Sequence, residues 1–142
     1  MTNESPVVPR PAPLLTEDNA VFWDAAREGR LVAQRCGSCG RLRHPPRPMC
    51  PDCHLLDVEV ITLSGHGTVH SYAIVHHPTH PAFGSPVLVV LVDLDEGIRI
   101  VSNLVGVEPS DITIDMSVDV EFEPRGDGLA VPVFRPTGAV QT

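Results

Sequence analysis

The stretch Cys36-Gly37-Ser38-Cys39-Gly40, followed after a short loop by Cys50-Pro51-Asp52-Cys53, holds every cysteine of the chain. Two residues between thiols is the spacing at which a tight turn aims both sulfurs at one tetrahedral metal. Gly40 can take the positive φ that such a turn needs, and Pro51 stiffens the second turn. The pattern reads as a zinc ribbon in which Cys36, Cys39, Cys50 and Cys53 bind one zinc ion. Four thiolates leave no open coordination position, so the metal is expected to be structural and to hold a segment that cannot fold alone. Iron in the same cage, disulfides and free thiols are the competing readings. Disulfides need an oxidising compartment, and a redox C-x-x-C normally occurs once, beside a βαβ pattern. His44 and His54 lie close by, but with four thiolates present they are expected at the surface or behind the ligands.

Working outward, 142 residues suit one moderate domain plus a small module. The net charge is −8, and every basic residue is arginine. An acidic chain is a poor partner for nucleic acid or an anionic membrane unless its arginines cluster. Here Arg27, Arg30, Arg35, Arg41, Arg43 and Arg47 cluster around the ribbon. That asymmetry points either to an anionic ligand or to a solvated face balanced by nearby acids. Residues 1–10 carry no apolar run of a secretion signal, and no run reaches the length of a membrane span. A cytoplasmic setting with reduced thiols, and no membrane partner, is the expectation.

Residues 1–15, with Pro6, Pro9, Pro11 and Pro13, read as a flexible arm. Residues 16–30 read as a helix, capped by Thr16 with Glu17 and Asp18 in its first turn and stopped at Gly29. Val21 and Ala25 share a face, with Phe22, Ala26 and Trp23 beside it. That face either packs on the chain's own ribbon or barrel or meets a partner subunit, for which Phe22 and Trp23 are the candidate anchors. Residues 31–57 form the ribbon. From Val58 the period changes to that of short strands, broken at Gly65-His66-Gly67, where a bulge or sharp bend is expected. Val87–Asp93 is a nearly continuous apolar strand, whereas Val118-Asp119-Val120-Glu121-Phe122-Glu123 alternates strictly. Five or six such strands over residues 58–136, before a tail at 137–142, fit a small OB-type barrel. The fold class is mainly β: an N-terminal helix, a rubredoxin-like zinc ribbon, then an OB-fold barrel.

The phrases Phe22-Trp23-Asp24-Ala25-Ala26-Arg27-Glu28-Gly29-Arg30-Leu31, Gln34-Arg35-Cys36, Pro45-Pro46-Arg47-Pro48-Met49-Cys50 and Gly65-His66-Gly67-Thr68-Val69 add detail. With the closing Val131-Pro132-Val133-Phe134-Arg135-Pro136, they resemble the zinc-ribbon/OB-fold proteins long filed as a domain of unknown function. The resemblance covers residues 18–136. It implies zinc on the four cysteines and a thiolase-like partner: an acyl-CoA thiolase, an acetyltransferase or an aldolase that cleaves steroid side-chain CoA thioesters. It also implies a part in holding acyl-CoA, and it defines no catalytic residue.

Three functions follow for weighing. As an accessory subunit, the chain would offer Arg41, Arg43 and Arg47 to the phosphates of acyl-CoA, because guanidinium forks match phosphate geometry. As a single-stranded nucleic-acid module it would need a basic groove with aromatic platforms, yet the region from residue 58 carries only Arg99, Arg125 and Arg135. As an independent enzyme it would use the histidines His66, His70, His76, His77 and His80, but no nucleophile–base pair is evident among them. The first reading is preferred, with no nucleic acid among the partners.

Overall fold

The computed structural model describes residues 9–77, 80–83 and 86–138. The first eight residues of the expected arm and residues 139–142 of the expected tail lie outside the described residues. From residue 9 to residue 15 there is no regular secondary structure, yet the segment is tied down. Arg10 Nη1 donates to Asn103 Oδ1 at 2.7 Å, and its Nε donates to Glu123 at 3.2 Å. Its guanidinium lies 5.3 Å from the centre of the Phe83 ring, and its carbonyl accepts from Arg125 Nε at 2.7 Å.

The helix α1 (Ala20–Arg27) begins a turn later than the sequence suggests. Thr16 N–H donates to Asn19 Oδ1 at 2.8 Å, and Asn19 N–H donates to Thr16 Oγ1 at 3.2 Å. Thr16 therefore closes a turn that holds Glu17 and Asp18, and the helix proper starts after Asn19. Gly29 (φ 75°) ends it as expected, its N–H bonding to Ala26 and that of Arg30 to Ala25. Phe22, Ala25 and Ala26 form the buried face.

The next elements, β1 (Val32–Cys36), β2 (Leu42–Arg43) and β3 (Val58–Thr62), form an antiparallel sheet in the order β2-β1-β3. Val58–Thr62, which the sequence pattern assigns to the barrel, instead pairs with β1 along its whole length, from Val32↔Thr62 to Cys36↔Val58. Its two-residue partner β2 leaves β1 short of strand contacts, and β3 supplies them. Gly65 (φ 79°) then turns the chain out of this sheet, and a side chain there would meet Val120 Cγ1 at 2.5 Å. The expected bulge lies further on, at His70, where the pairing shifts between Val69 and Ser71.

The second sheet contains β4 (His66–Val75), β5 (Val87–Leu94), β6 (Arg99–Asn103), β7 (Ser117–Pro124) and β8 (Ala130–Pro136). Its order is β6-β5-β4-β7-β8, with a 3₁₀ turn at Pro109–Asp111 before β7. A parallel bridge between Leu104 and Phe134 brings the outer strands together, so the sheet curls into a nearly closed five-stranded OB-like barrel. Inside lie Val69, Val90, Val92, Val118 and Phe134, all fully buried. Phe22 and Leu31 and Ala33 of the ribbon side belong to the same apolar cluster. Ribbon, helix and barrel therefore share one core, which fixes the cleft between them.

Candidate metal centre and arginine cleft

The two cysteine turns are built alike. Gly40 N–H bonds to Cys36 O and His54 N–H to Cys50 O, both at 3.0 Å, and both residues are left-handed, at φ 78° and 62°. Glycine adopts that region freely; His54 does so because the turn demands it. The sequence reading saw the role of Gly40 and missed its counterpart at His54. The turns bring Cys36 Sγ to 3.5 Å from Cys53 Sγ, and Cys39 Sγ to 3.5 Å from Cys50 Sγ. All four sulfurs lie within 4.8 Å of one another. Tetrahedral zinc with Zn–S bonds of about 2.3 Å needs sulfurs roughly 3.8 Å apart, so the cage fits.

The electrostatics agree. The backbone N–H groups of Cys39 and Ser38 pull the Cys36 thiol down to about 6. At Cys53 the Leu55 amide also pulls down, but the neighbouring thiol of Cys36, burial and the other sulfurs outweigh it and push the value up to about 12. Four thiols this close cannot all ionise unless a cation compensates them, and a divalent metal does so. The rubredoxin-like zinc ribbon thus has Cys36, Cys39, Cys50 and Cys53 positioned to bind one metal ion. Among the described residues these cysteines are the one group of His, Cys, Asp or Glu side chains gathered closely enough to hold a metal.

The arginines around the ribbon divide. Arg30 pairs with Glu28, Arg35 with Glu59 and Arg41 with Asp52, the balanced-face alternative. Arg43 is not a free surface group: it is buried, its Nε bonded at 2.8 Å to Gln34 Oε1 and its Nη2 to the Arg47 carbonyl at 3.1 Å. Gln34 also accepts from the Arg47 N–H at 2.8 Å, so these groups brace the loop between the knuckles. Arg43 Nη1 is buried with no hydrogen-bond partner. Arg41, Arg43 and Arg47 line a cleft of about 660 Å³ whose opposite wall carries Asp93 and Arg99 of the barrel.

The expected anchor pair divides as well. Phe22 is only 8 % exposed and belongs to the core, so it offers little surface of its own. Its helix face is covered by the chain's own β1 and β8. Trp23 is half-buried, 5.1 Å edge-on to Phe22, and lines an apolar pocket of about 480 Å³ with Pro46, Val101 and Pro132. His44 and Pro45 border both this pocket and the arginine cleft. The His44 ring lies tilted, 5.2 Å from that of Phe22, and burial lowers its pKa.

The histidines do not form one centre. His66 Nδ1 meets Asp119 on β7 at 2.9 Å, whereas His70 Nδ1 meets Asp93 on β5 at 3.1 Å. His80 accepts from the Ala82 N–H and lies edge-on to the Phe83 ring at 5.9 Å. The hydrogen bond to Asp119 raises the pKa of His66, and the same bond, with one from Thr137, lowers that of Asp119. A raised histidine stabilises the fold fully below its unfolded value of 6.5 and loses that effect as pH climbs through the folded value. A lowered carboxylate acts above its unfolded value of 3.8 and is lost as pH falls through the folded one. His66→Gln should therefore destabilise most between pH 3.8 and 6.5 and converge on the parent as pH climbs past the raised His66 value, with a small effect because both groups are solvated. Urea midpoints across that range check it. An equal loss at every pH would mean that the pair does not titrate as described.

All three barrel arginines are engaged by carboxylates: Arg99 by Asp93, Arg125 by Asp127 and Arg135 by Glu121. No helix among the described residues is long and apolar enough to cross a membrane.

Comparison with known proteins gives consistent results. Residues 23–59 match the rubredoxin-like zinc ribbon domain of ChsH2, and residues 60–123 match the ChsH2 C-terminal OB-fold domain. A probable enoyl-CoA hydratase alpha subunit from Thermomonospora curvata is 47% identical over 135 residues, which are 95% of this chain and 42% of that protein. The chain spans 35% of a second such relative, the 3-oxo-4,17-pregnadiene-20-carboxyl-CoA hydratase alpha subunit of Mycobacterium tuberculosis, at 36% identity over 78% of its own length. The benzoylsuccinyl-CoA thiolase subunit BbsA of Thauera aromatica is 29% identical over 89% of this chain and 91% of that subunit. A solved structure described as an Ltp2-ChsH2(DUF35) aldolase superposes with a TM-score of 0.84 at 47% identity, over 88% of this chain and 98% of that one.

Proposed function

We propose a function from the premise that this chain belongs to the ChsH2 family of DUF35 proteins, which join a rubredoxin-like zinc ribbon to an OB-fold barrel. It serves as a non-catalytic accessory component of an acyl-CoA-processing assembly with a thiolase-like partner, and it holds part of the acyl-CoA. The observation that carries this reading is the cleft between ribbon and barrel, lined by Arg41, Arg43, Arg47 and Arg99, in which Arg47 is exposed and buried Arg43 keeps an unpartnered Nη1 while Arg41 and Arg99 are held by Asp52 and Asp93. Guanidinium groups on two facing walls suit a ligand with several phosphates, and the cleft lies at the ribbon–barrel seam that the zinc holds rigid. The adjoining apolar pocket past His44 and Pro45 suits the uncharged arm of the same ligand. Relatives named as alpha subunits of hydratases, as a thiolase subunit and as one part of an aldolase support a role inside an assembly. Zinc coordinated by four thiolates supplies stiffness and no reaction.

Co-expression with a thiolase-like protein that serves as its partner should give co-elution and higher partner activity. In that complex Arg47→Glu should raise KM for the acyl-CoA about tenfold with kcat little changed, the mark of lost ground-state binding. Arg47 is exposed, so the variant should fold normally, whereas Arg43→Ala would disturb the brace to Gln34. Separate elution together with a partner fully active alone would refute the accessory role. An unchanged KM in Arg47→Glu would refute the phosphate cleft.

A further inference from the structure

Residues 71–92 contain no Asp, Glu, Lys or Arg, although charged residues make up 20% of the chain. The strands of this stretch are the outer half of β4 and most of β5. There Ser71, Tyr72, Ala73 and Val75 are all exposed. β4 meets β7 only from His66 to Thr68, so among the described residues the edge of Ser71–Val75 that faces away from β5 has no strand beside it. Natural edge strands are normally guarded by charges, prolines or bulges, and this segment carries none of them beyond the bulge at its start.

Directly opposed residues of antiparallel strands share a face. The pairs Ser71↔Leu91, Ala73↔Val89 and Val75↔Val87, continued by Leu91↔Val101 and Val89↔Asn103, define one outward face across β4, β5 and β6. Its polar members are Ser71 and Asn103, the latter bonded to Arg10, the rest is aliphatic, and Val101 on β6 is 69% exposed. Val89 and Val101 also line the pocket of Trp23, so the face runs from a free strand edge to the one half-buried tryptophan.

We propose that this face docks the partner enzyme subunit, through an uncharged apolar surface whose exposed strand adds to β4 at Ser71–Val75. This rests on the accessory role above and says where the contact lies. Depletion of charge with an aromatic at hand is the composition of an interface centre. Main-chain pairing along an open edge is a recurrent way to seat such a partner. A second copy of this chain is the less suitable occupant, because two molecules of net charge −8 repel each other as they approach. A partner seated here would also cover the Trp23 pocket and stand beside the arginine cleft, since His44 and Pro45 border both.

The test uses Val101→Glu in the co-expressed complex, with Val60→Glu on the exposed part of β3 as the control. Burying an unpaired carboxylate at a packed contact should weaken the complex by about a hundredfold or more, while Val60→Glu binds like the parent. In the parent complex, amide exchange across Ser71–Val75 should slow. If the parent forms the complex but Val101→Glu binds it equally well, or the edge amides stay unprotected, this docking face is wrong and the accessory role stands. If the parent forms no complex, the accessory role itself fails. A homodimer of the isolated chain that Val101→Glu splits would give the face to a second copy and overturn the proposal.

Discussion

Cys39→Ser should strip the chain of its metal: zinc measured by plasma spectrometry falls from one per chain to near zero. Structural zinc sites contribute on the order of 10–16 kcal/mol of apparent binding free energy, and that energy is folding energy for the segment they close. With one thiolate gone, the remaining sulfurs can no longer complete the tetrahedron in which all four lie within 4.8 Å. Both cysteine turns then lose the centre that aligns them. The damage should not stop at the ribbon. Leu31 and Ala33 sit in the same apolar cluster as Val90 and Phe134, so loosening β1 uncovers one side of the barrel core. The thermal midpoint of the whole chain should therefore drop, and chelator should reproduce the effect on the parent. Zinc kept at one per chain by a Cys36→Ser/Cys50→Ser double variant would rule out the four-cysteine site.

Phe134→Ala should be the most damaging single change in the barrel. Phe134 is fully buried, pairs with Val120 on β7 and forms the Leu104 bridge that nearly closes the barrel. Its carbonyl also holds the Val105 N–H at 2.8 Å. Removing a buried phenyl ring costs about 3–5 kcal/mol, because lost transfer energy and a residual cavity add. That is a large share of the ~5–15 kcal/mol by which such domains are stable. At a few degrees per kcal/mol, the thermal midpoint should fall by about 10 °C or more. Zinc content should stay near one per chain, because the cage is built from local turns. A denaturant midpoint within error of the parent would show that the barrel does not depend on this seam.

The metal cage was legible in the sequence because everything it needs is local. Two C-x2-C pairs and a glycine after the first determine the turns without help from distant residues. The order of helix, ribbon and barrel was equally readable from period and punctuation. What escaped depends on contacts between segments far apart in the chain. The helix pattern shows that Phe22 belongs to an apolar stripe, but not that the chain's own barrel covers it. Val58 and Val60 look the same whether their strand joins the barrel or the ribbon. Only the short length of β2 and the turn at Gly65 decide it. Arg43 reads as one more surface arginine until Gln34, nine residues earlier, is found to hold it inside. His66 and His70 share a spacing but not a partner, because strands on opposite sides of β4 supply their carboxylates.

The docked arginine near the N-terminus has a kinetic consequence. Arg10 joins Asn103, Glu123 and Arg125 over sequence separations of 93 to 115, far longer spans than the hairpins β4–β5 and β7–β8 require. Closing loops of that length costs chain entropy, and it is repaid only once the barrel strands that carry those partners are in register. The arm is thus a late event, absent from the folding transition state and present in the native one. Contacts of that kind leave the folding rate almost untouched and set how slowly the molecule comes apart. The arm acts as a latch on the assembled barrel, and it governs the lifetime of the folded state more than the speed of reaching it.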